Sequence, residues 1–169
     1  MKKISVLLIA ILSLYIPIKT NAQIYYSVNY ATKGPKLIHK SGDLSFLKGQ
    51  TKLNIEYVYD NMMVGKKPEA QYITEKVEKY NKDEAGKGDK WLESWKNDRT
   101  KRFEPKFEEL LNKNLEGVNV NVSSTNTNAK YTLILKTVYT DPGYNIGITR
   151  KPSYIDVVVT FVETGKKQI

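Results

Sequence analysis

With 169 residues, a net charge of +9 and no cysteine, the chain is long enough to bury one core and has neither disulfides nor thiol chemistry. One histidine, His39, and no cysteine leave zinc and copper without their usual ligands, so neither a metal site nor a cofactor is expected. The positive excess is thinly spread: residues 66–116 carry 13 Lys/Arg against 12 Asp/Glu, and the surplus is scattered elsewhere rather than forming the dense stripe that binds nucleic acid.

Lys2 and Lys3 precede an apolar run over residues 4–16, and Thr20-Asn21-Ala22 offers a small-residue cleavage site. This is the layout of a secretory signal peptide over residues 1–22. The run is shorter than the roughly 20 apolar residues that span a bilayer, and no later stretch approaches that length. The expectation is an exported protein, periplasmic or extracellular, soluble after signal-peptide removal, with a single globular α+β domain over residues 23–169. Losing Lys2, Lys3 and Lys19 takes the charge from +9 to +9 − 3 = +6.

In chain order, residues 23–30 (QIYYSVNY) read as a short strand, and residues 32–42 as a loop broken at Gly34-Pro35. Leu44, Phe46 and Leu47 anchor the connection that follows. Residues 53–60 alternate as a strand. Pro68 suits a helix start, after which Ile73, Val77 and Tyr80 recur at helical spacing. Residues 81–89 read as a loop, with Asp89 as N-cap of a second amphipathic stretch. That stretch runs through Trp91, Leu92, Trp95, Phe103, Phe107, Leu110, Leu111 and Leu115 to Gly117. Pro105 interrupts it, so one helix kinks or two helices meet there. Val118, Val120 and Val122 alternate as a further strand.

Two longer runs organise the rest. Residues 131–139 (YTLILKTVY) place Tyr131, Leu133, Leu135, Thr137 and Tyr139 on one face, and residues 154–162 do the same with Ile155, Val157, Val159 and Phe161. Together they predict a long hairpin. The whole predicts α+β: a mainly antiparallel sheet of about five strands with two or three helices packed on one face. At the end, residues 164–167 look like a turn and Gln168-Ile169 like the start of another strand. A chain truncated there would leave an unpaired edge beside the hairpin.

The hairpin connection is longer than a tight turn needs. Asp141-Pro142-Gly143-Tyr144 suits a type II turn, yet residues 144–153 remain before the second strand. The plain reading is a strand extension with a bulge at Gly147. The sharper one is a binding loop presenting Tyr144, Arg150 and Tyr154, because over-long loops on rigid strands often carry function.

Other constellations carry less. His39 has no nucleophile elbow to serve. Gly86-Lys87-Gly88 lacks the spacing of a phosphate-binding loop. Residues 81–84 lack the rest of a calcium loop. Glu104, Glu108 and Glu109 share one helix, whereas glycosidase carboxylates face each other across a cleft. Trp91 and Trp95 at i,i+4 make a sugar platform or, more plainly, helix-to-sheet core.

The segments GDLSFLKGQ (42–50), NMMVGKKPEAQY (61–72), GKGDKW (86–91) and YTDPGYNIGITRKPSYIDVVVTFVET (139–164) resemble a group of uncharacterised small exported proteins of two-membrane bacteria, to which no activity is attached. The layout also resembles periplasmic domains that assist envelope assembly. The functional expectation is a non-enzymatic, exported binding or envelope-associated structural module, with an envelope protein or polymer as partner. The alternative is a small hydrolase acting on an envelope polymer or glycan.

Overall fold

The computed structural model describes residues 22–29 and 34–166, with side chains from Leu37 onward. The expected signal peptide therefore lies outside the described residues except for Ala22, as does Gln168-Ile169. The strands are β1 (Ala22–Asn29), β2 (Gly34–Gly42), β3 (Lys52–Val58), β4 (Met63–Val64), β5 (Lys67–Pro68), β6 (Asn121–Ser123), β7 (Tyr131–Asp141), β8 (Tyr144–Ile146), β9 (Thr149–Lys151) and β10 (Tyr154–Glu163). The helices are α1 (Glu69–Asp83), α2 (Lys87–Asp98) and α3 (Glu104–Leu115).

The main sheet runs β2-β1-β10-β7-β3-β6, with β4 also paired to β7. β10 is antiparallel to both β7 and β1, so the long hairpin stands as expected. The sheet as a whole is mixed, which corrects the mainly antiparallel expectation: β7 and β6 both lie parallel to β3, and β4 lies parallel to β7. The physical reason is the helical segment between β3 and β6, which carries the chain back to the start of the sheet and permits parallel pairing. Beside the hairpin lies β1, pairing along β10 from Ala22–Phe161 to Asn29–Tyr154.

β2 replaces the loop expected over residues 32–42. Gly34-Pro35 stands at its start on the sheet's outer edge, a position where strands tolerate proline. At the other edge the expected strand over residues 118–123 shortens to β6. A 3-10 turn covers Glu116–Val118, and Asn119 follows at φ +53°. Asn112 then brackets Val122, its side chain bonding both the backbone N–H and the carbonyl at 2.7 Å.

One sheet face holds the core. Leu53, Ile55, Val122, Leu133, Leu135, Val157, Val159 and Phe161 are buried there, and Phe46, Phe103, Phe107, Leu111 and Leu115 pack over them. Leu135 is fully buried on β7 at the centre. Trp91 takes a different place from the one expected, in a helix-to-helix cluster with Tyr72 and Tyr80 at centroid distances of 6.0 and 5.9 Å. Trp95 meets Tyr72 at 5.4 Å and stands at the space between α2 and the sheet. Between α1 and α2 the close approach falls at Gly88, whose N–H donates to Asn81 Oδ1 at 2.7 Å. The cap of α2 is Gly86 at φ +77°, not Asp89, which sits in the first turn.

Both readings of Pro105 meet in one structure. α2 continues into α3 through a π-helical turn, Arg99–Phe103, and Pro105 lies in the first turn of α3. Pro105 has no N–H for the carbonyl of Lys101 and its ring crowds that carbonyl. The turn widens there, with Glu104 N–H bonded to Arg99 O.

Candidate functional site

The long connection between β7 and β10 is neither a bulge nor an open loop. It is a second hairpin, β8–β9, paired through Tyr144–Lys151, Asn145–Arg150 and Ile146–Thr149. Gly147 and Ile148 form its two-residue turn. Gly147 at φ +57° supplies the positive φ that such turns demand at their first central position. Ile148 at the tip is fully exposed and Ile146 is 71% exposed.

This arm separates the three residues proposed to act together. Cross-strand partners share a face and neighbours alternate. Tyr144 therefore lies with Lys151, and Arg150 lies on the opposite face with Asn145. Tyr154 belongs to the main sheet, where its ring packs on Tyr139 at 5.3 Å and its hydroxyl donates to Asp156 Oδ1 at 2.6 Å.

The base of the arm is clamped by one carboxylate. Asp141 accepts the Gly143 N–H at 3.0 Å through Oδ1 and pairs with Lys151 Nζ through Oδ2. The Lys151 ammonium, and then the Gly143 amide, hold the Asp141 carboxyl below its ordinary value, while Asp141 raises Lys151. The signs set a window. The carboxylate's contribution is complete above its unfolded value of about 3.9 and is lost as pH falls through the lowered folded value. The lysine's contribution is complete below about 10.4 and is lost as pH rises through the raised value. Hydrogen exchange at the Gly143 amide is expected to stay slow relative to an Asp141→Asn variant at neutral pH, with the difference vanishing in acid. Equal exchange in both proteins at neutral pH would contradict the clamp.

A second feature was not anticipated from sequence. β3 and β4 line the same edge of β7 but are interrupted between them: Val58 pairs with Lys136 and Met63 with Tyr139. Opposite the interruption, the β7–β10 register slips, so that Asp156 faces Tyr139 and Val157 faces Thr137. The slip turns Tyr139 away from the face of Leu133 and Leu135, correcting its expected placement. It leaves Thr137 and Thr140, partners of Val157 and Ile155, on that covered face. The π turn, Arg99–Phe103, lies over the same spot. These irregularities leave an open-mouthed pocket of about 250 Å³ lined by Tyr59, Met62, Trp95, Asp98, Arg99, Phe103, Thr137, Thr140 and Ile155.

The polar groups around the cavity are mostly partnered. The Arg99 guanidinium lies 4.2 Å from the Tyr59 ring centroid and pairs with Glu69. Glu69 Oε1 also accepts the Trp95 indole N–H at 2.6 Å. The Tyr59 hydroxyl donates to Glu104 Oε1 at 3.0 Å, and burial, reinforced by the Glu104 charge, pushes that hydroxyl well up and keeps it a donor. Next to it, Tyr57 donates to the Glu104 carbonyl at 3.1 Å and its hydroxyl is likewise raised, chiefly by burial. The exception is Thr137, 4% exposed, whose hydroxyl has no hydrogen-bond partner.

No family model, curated protein or solved structure matches this chain. Among the described residues, no group of three or more His, Asp or Glu side chains is placed to hold a metal ion. Among them, too, no helix is long and apolar enough to cross a membrane.

Proposed function

We propose that this chain is an exported, non-enzymatic binding module of the cell envelope, periplasmic or extracellular, that meets an envelope protein or polymer through the β8–β9 arm. The observation that carries this reading is the arm itself, anchored at its base by Asp141 and bearing Tyr144, Ile146 and Ile148 in solvent. A two-stranded hairpin alone is marginal in water, and large aliphatic side chains at its tip add nothing to the core they leave. Clustered exposed apolar groups of this kind mark interaction sites. Arg150 on the opposite face adds a cation suited to an acidic contact.

The hydrolase alternative has less support. Glu104 accepts the Tyr59 hydroxyl at 3.0 Å, and Glu108 accepts the Ser124 N–H at 3.2 Å with the Tyr57 hydroxyl 3.5 Å away, so both carboxylates tie α3 to the sheet. Asp156 is taken by Tyr154.

Capture of envelope components by wild type, by Ile146→Ser/Ile148→Ser and by Tyr144→Ala/Arg150→Ala tests the proposal. The same partner is expected to be held by wild type and lost from the aliphatic double variant, with melting temperature unchanged. The Tyr144/Arg150 variant is expected to be weakened rather than emptied, because its two side chains lie on opposite faces. Retention of the full partner set by both folded variants would remove the arm from function.

A further inference from the structure

We propose that the cavity between α2, the π turn and the interrupted edge of β7 is a binding site for a small neutral amphiphile, an aromatic or branched aliphatic body carrying one hydroxyl or carbonyl. Three backbone irregularities converge on this one place. They are the break between β3 and β4, with Asn61 at φ +58°, the β7–β10 register slip, and the π turn Arg99–Phe103. Bulges and π turns each forfeit regular hydrogen bonding and gather at functional sites. Their shared effect here is a concavity where a continuous strand and a regular helix would have closed on each other.

The lining specifies the ligand. Met62, Trp95, Phe103 and Ile155 give it apolar walls. At about 250 Å³ the space lies just below the roughly 300–1,000 Å³ of drug-sized pockets, so the occupant is small. The nearby charges are already matched, Arg99 with Glu69 and Asp98 with Arg102 at 3.2 Å, and Glu104 stands behind Tyr59. A ligand anion would lose its hydration and meet these carboxylates, and a cation would have to compete with Arg99 and Arg102 for them. The remaining polar opportunity is Thr137. A buried hydroxyl without a partner normally costs stability, and Thr137 lines this cavity. A ligand hydroxyl or carbonyl supplies the missing partner.

The test uses the intact chain and four matched probes: benzyl alcohol, toluene, benzoate and benzylamine. Binding is followed by NMR at the Trp95 indole N–H and the Thr137 methyl. Benzyl alcohol is expected to saturate both signals and to bind at least about tenfold more tightly than benzoate or benzylamine, the ratio that 1.4 kcal/mol gives. It is expected to exceed toluene by about fivefold, the worth of one added hydrogen bond. Thr137→Val should abolish the preference for the alcohol over toluene without lowering the melting temperature, since it removes an unpaired hydroxyl at nearly constant volume. Thr137→Ser should keep the preference. Benzoate binding as tightly as benzyl alcohol, saturation that spares Trp95 and Thr137, no saturable binding by any probe, or an unchanged preference in Thr137→Val would each overturn the proposal.

Discussion

Gly143→Ala is expected to open the base of the β8–β9 arm while leaving the rest of the sheet folded. Gly143 adopts φ +65°, a left-handed conformation that costs an L-residue roughly 1–2 kcal/mol. A Cβ there would also stand 2.3 Å from the Lys151 carbonyl oxygen and 2.7 Å from the Pro152 carbonyl carbon. Both neighbours are backbone, so no rotamer relieves the overlap and the two strands of the arm must part. Separation removes the Gly143–Asp141 bond and the Lys151 pairing together. The measurement is amide exchange along residues 143–151, expected to rise to near that of an open loop, beside a melting temperature that moves little. Gly147→Ala is the comparison. It shares the positive φ at +57° but meets nothing within 4 Å, so it should loosen the turn alone. Equal protection of the arm in Gly143→Ala and wild type would show that the close approach is not what shapes it.

Gly88→Ala should act on the whole domain. An added Cβ at position 88 would lie 2.3 Å from the Val77 carbonyl oxygen, across the contact between α1 and α2. Alanine favours a helix over glycine by about 1 kcal/mol, so the sign depends on which term is larger. Overlap with backbone cannot be turned aside, and overpacking of this kind costs about 1–3 kcal/mol. The helices must separate, disturbing the Asn81 bond and the stacking of Tyr72, Tyr80, Trp91 and Trp95. Subtracting the helix gain from the overpacking cost leaves an expected net loss of up to about 2 kcal/mol in denaturant unfolding. Gly117→Ala, with open space around its Cβ, should be neutral or slightly stabilising. If the two variants unfolded at the same denaturant concentration, the α1–α2 contact would be looser than described.

The long hairpin was legible because β7 and β10 carry uninterrupted period-2 patterns over ten or so residues. The same pattern failed at Tyr139, since a register slip between partners leaves no mark on either strand's own alternation. Strand partners were also hidden. Leu53 to Tyr57 alternate equally well whether β7 runs with them or against them, and it is the helical crossover that decides. β2 was missed because Gly34-Pro35 reads as a breaker, although an edge strand tolerates it. Tyr144, Arg150 and Tyr154 were grouped by nearness in the chain, whereas the turn at Gly147-Ile148 puts the first two on opposite faces. The exposed isoleucines between them were the better signal: two β-branched apolar residues flanking a glycine, with no counterpart to bury them. The cavity draws on separate segments around Tyr59, Trp95, Arg99, Thr137 and Ile155, whose spacing forms no motif. One local clue was available. Pro105 sits inside an apolar helical period, and the helix had to widen somewhere before it.

The proposed role of the arm as the contact element is tested most directly by placing a photoreactive residue at position Ile148 and, separately, at the exposed helical position Glu93, then irradiating cells that produce the protein. Discrete adducts with an envelope component from position 148 and none from position 93 are the predicted result. Adducts from position 93 alone, or the same adducts from both, would contradict the assignment of the β8–β9 arm as the binding surface.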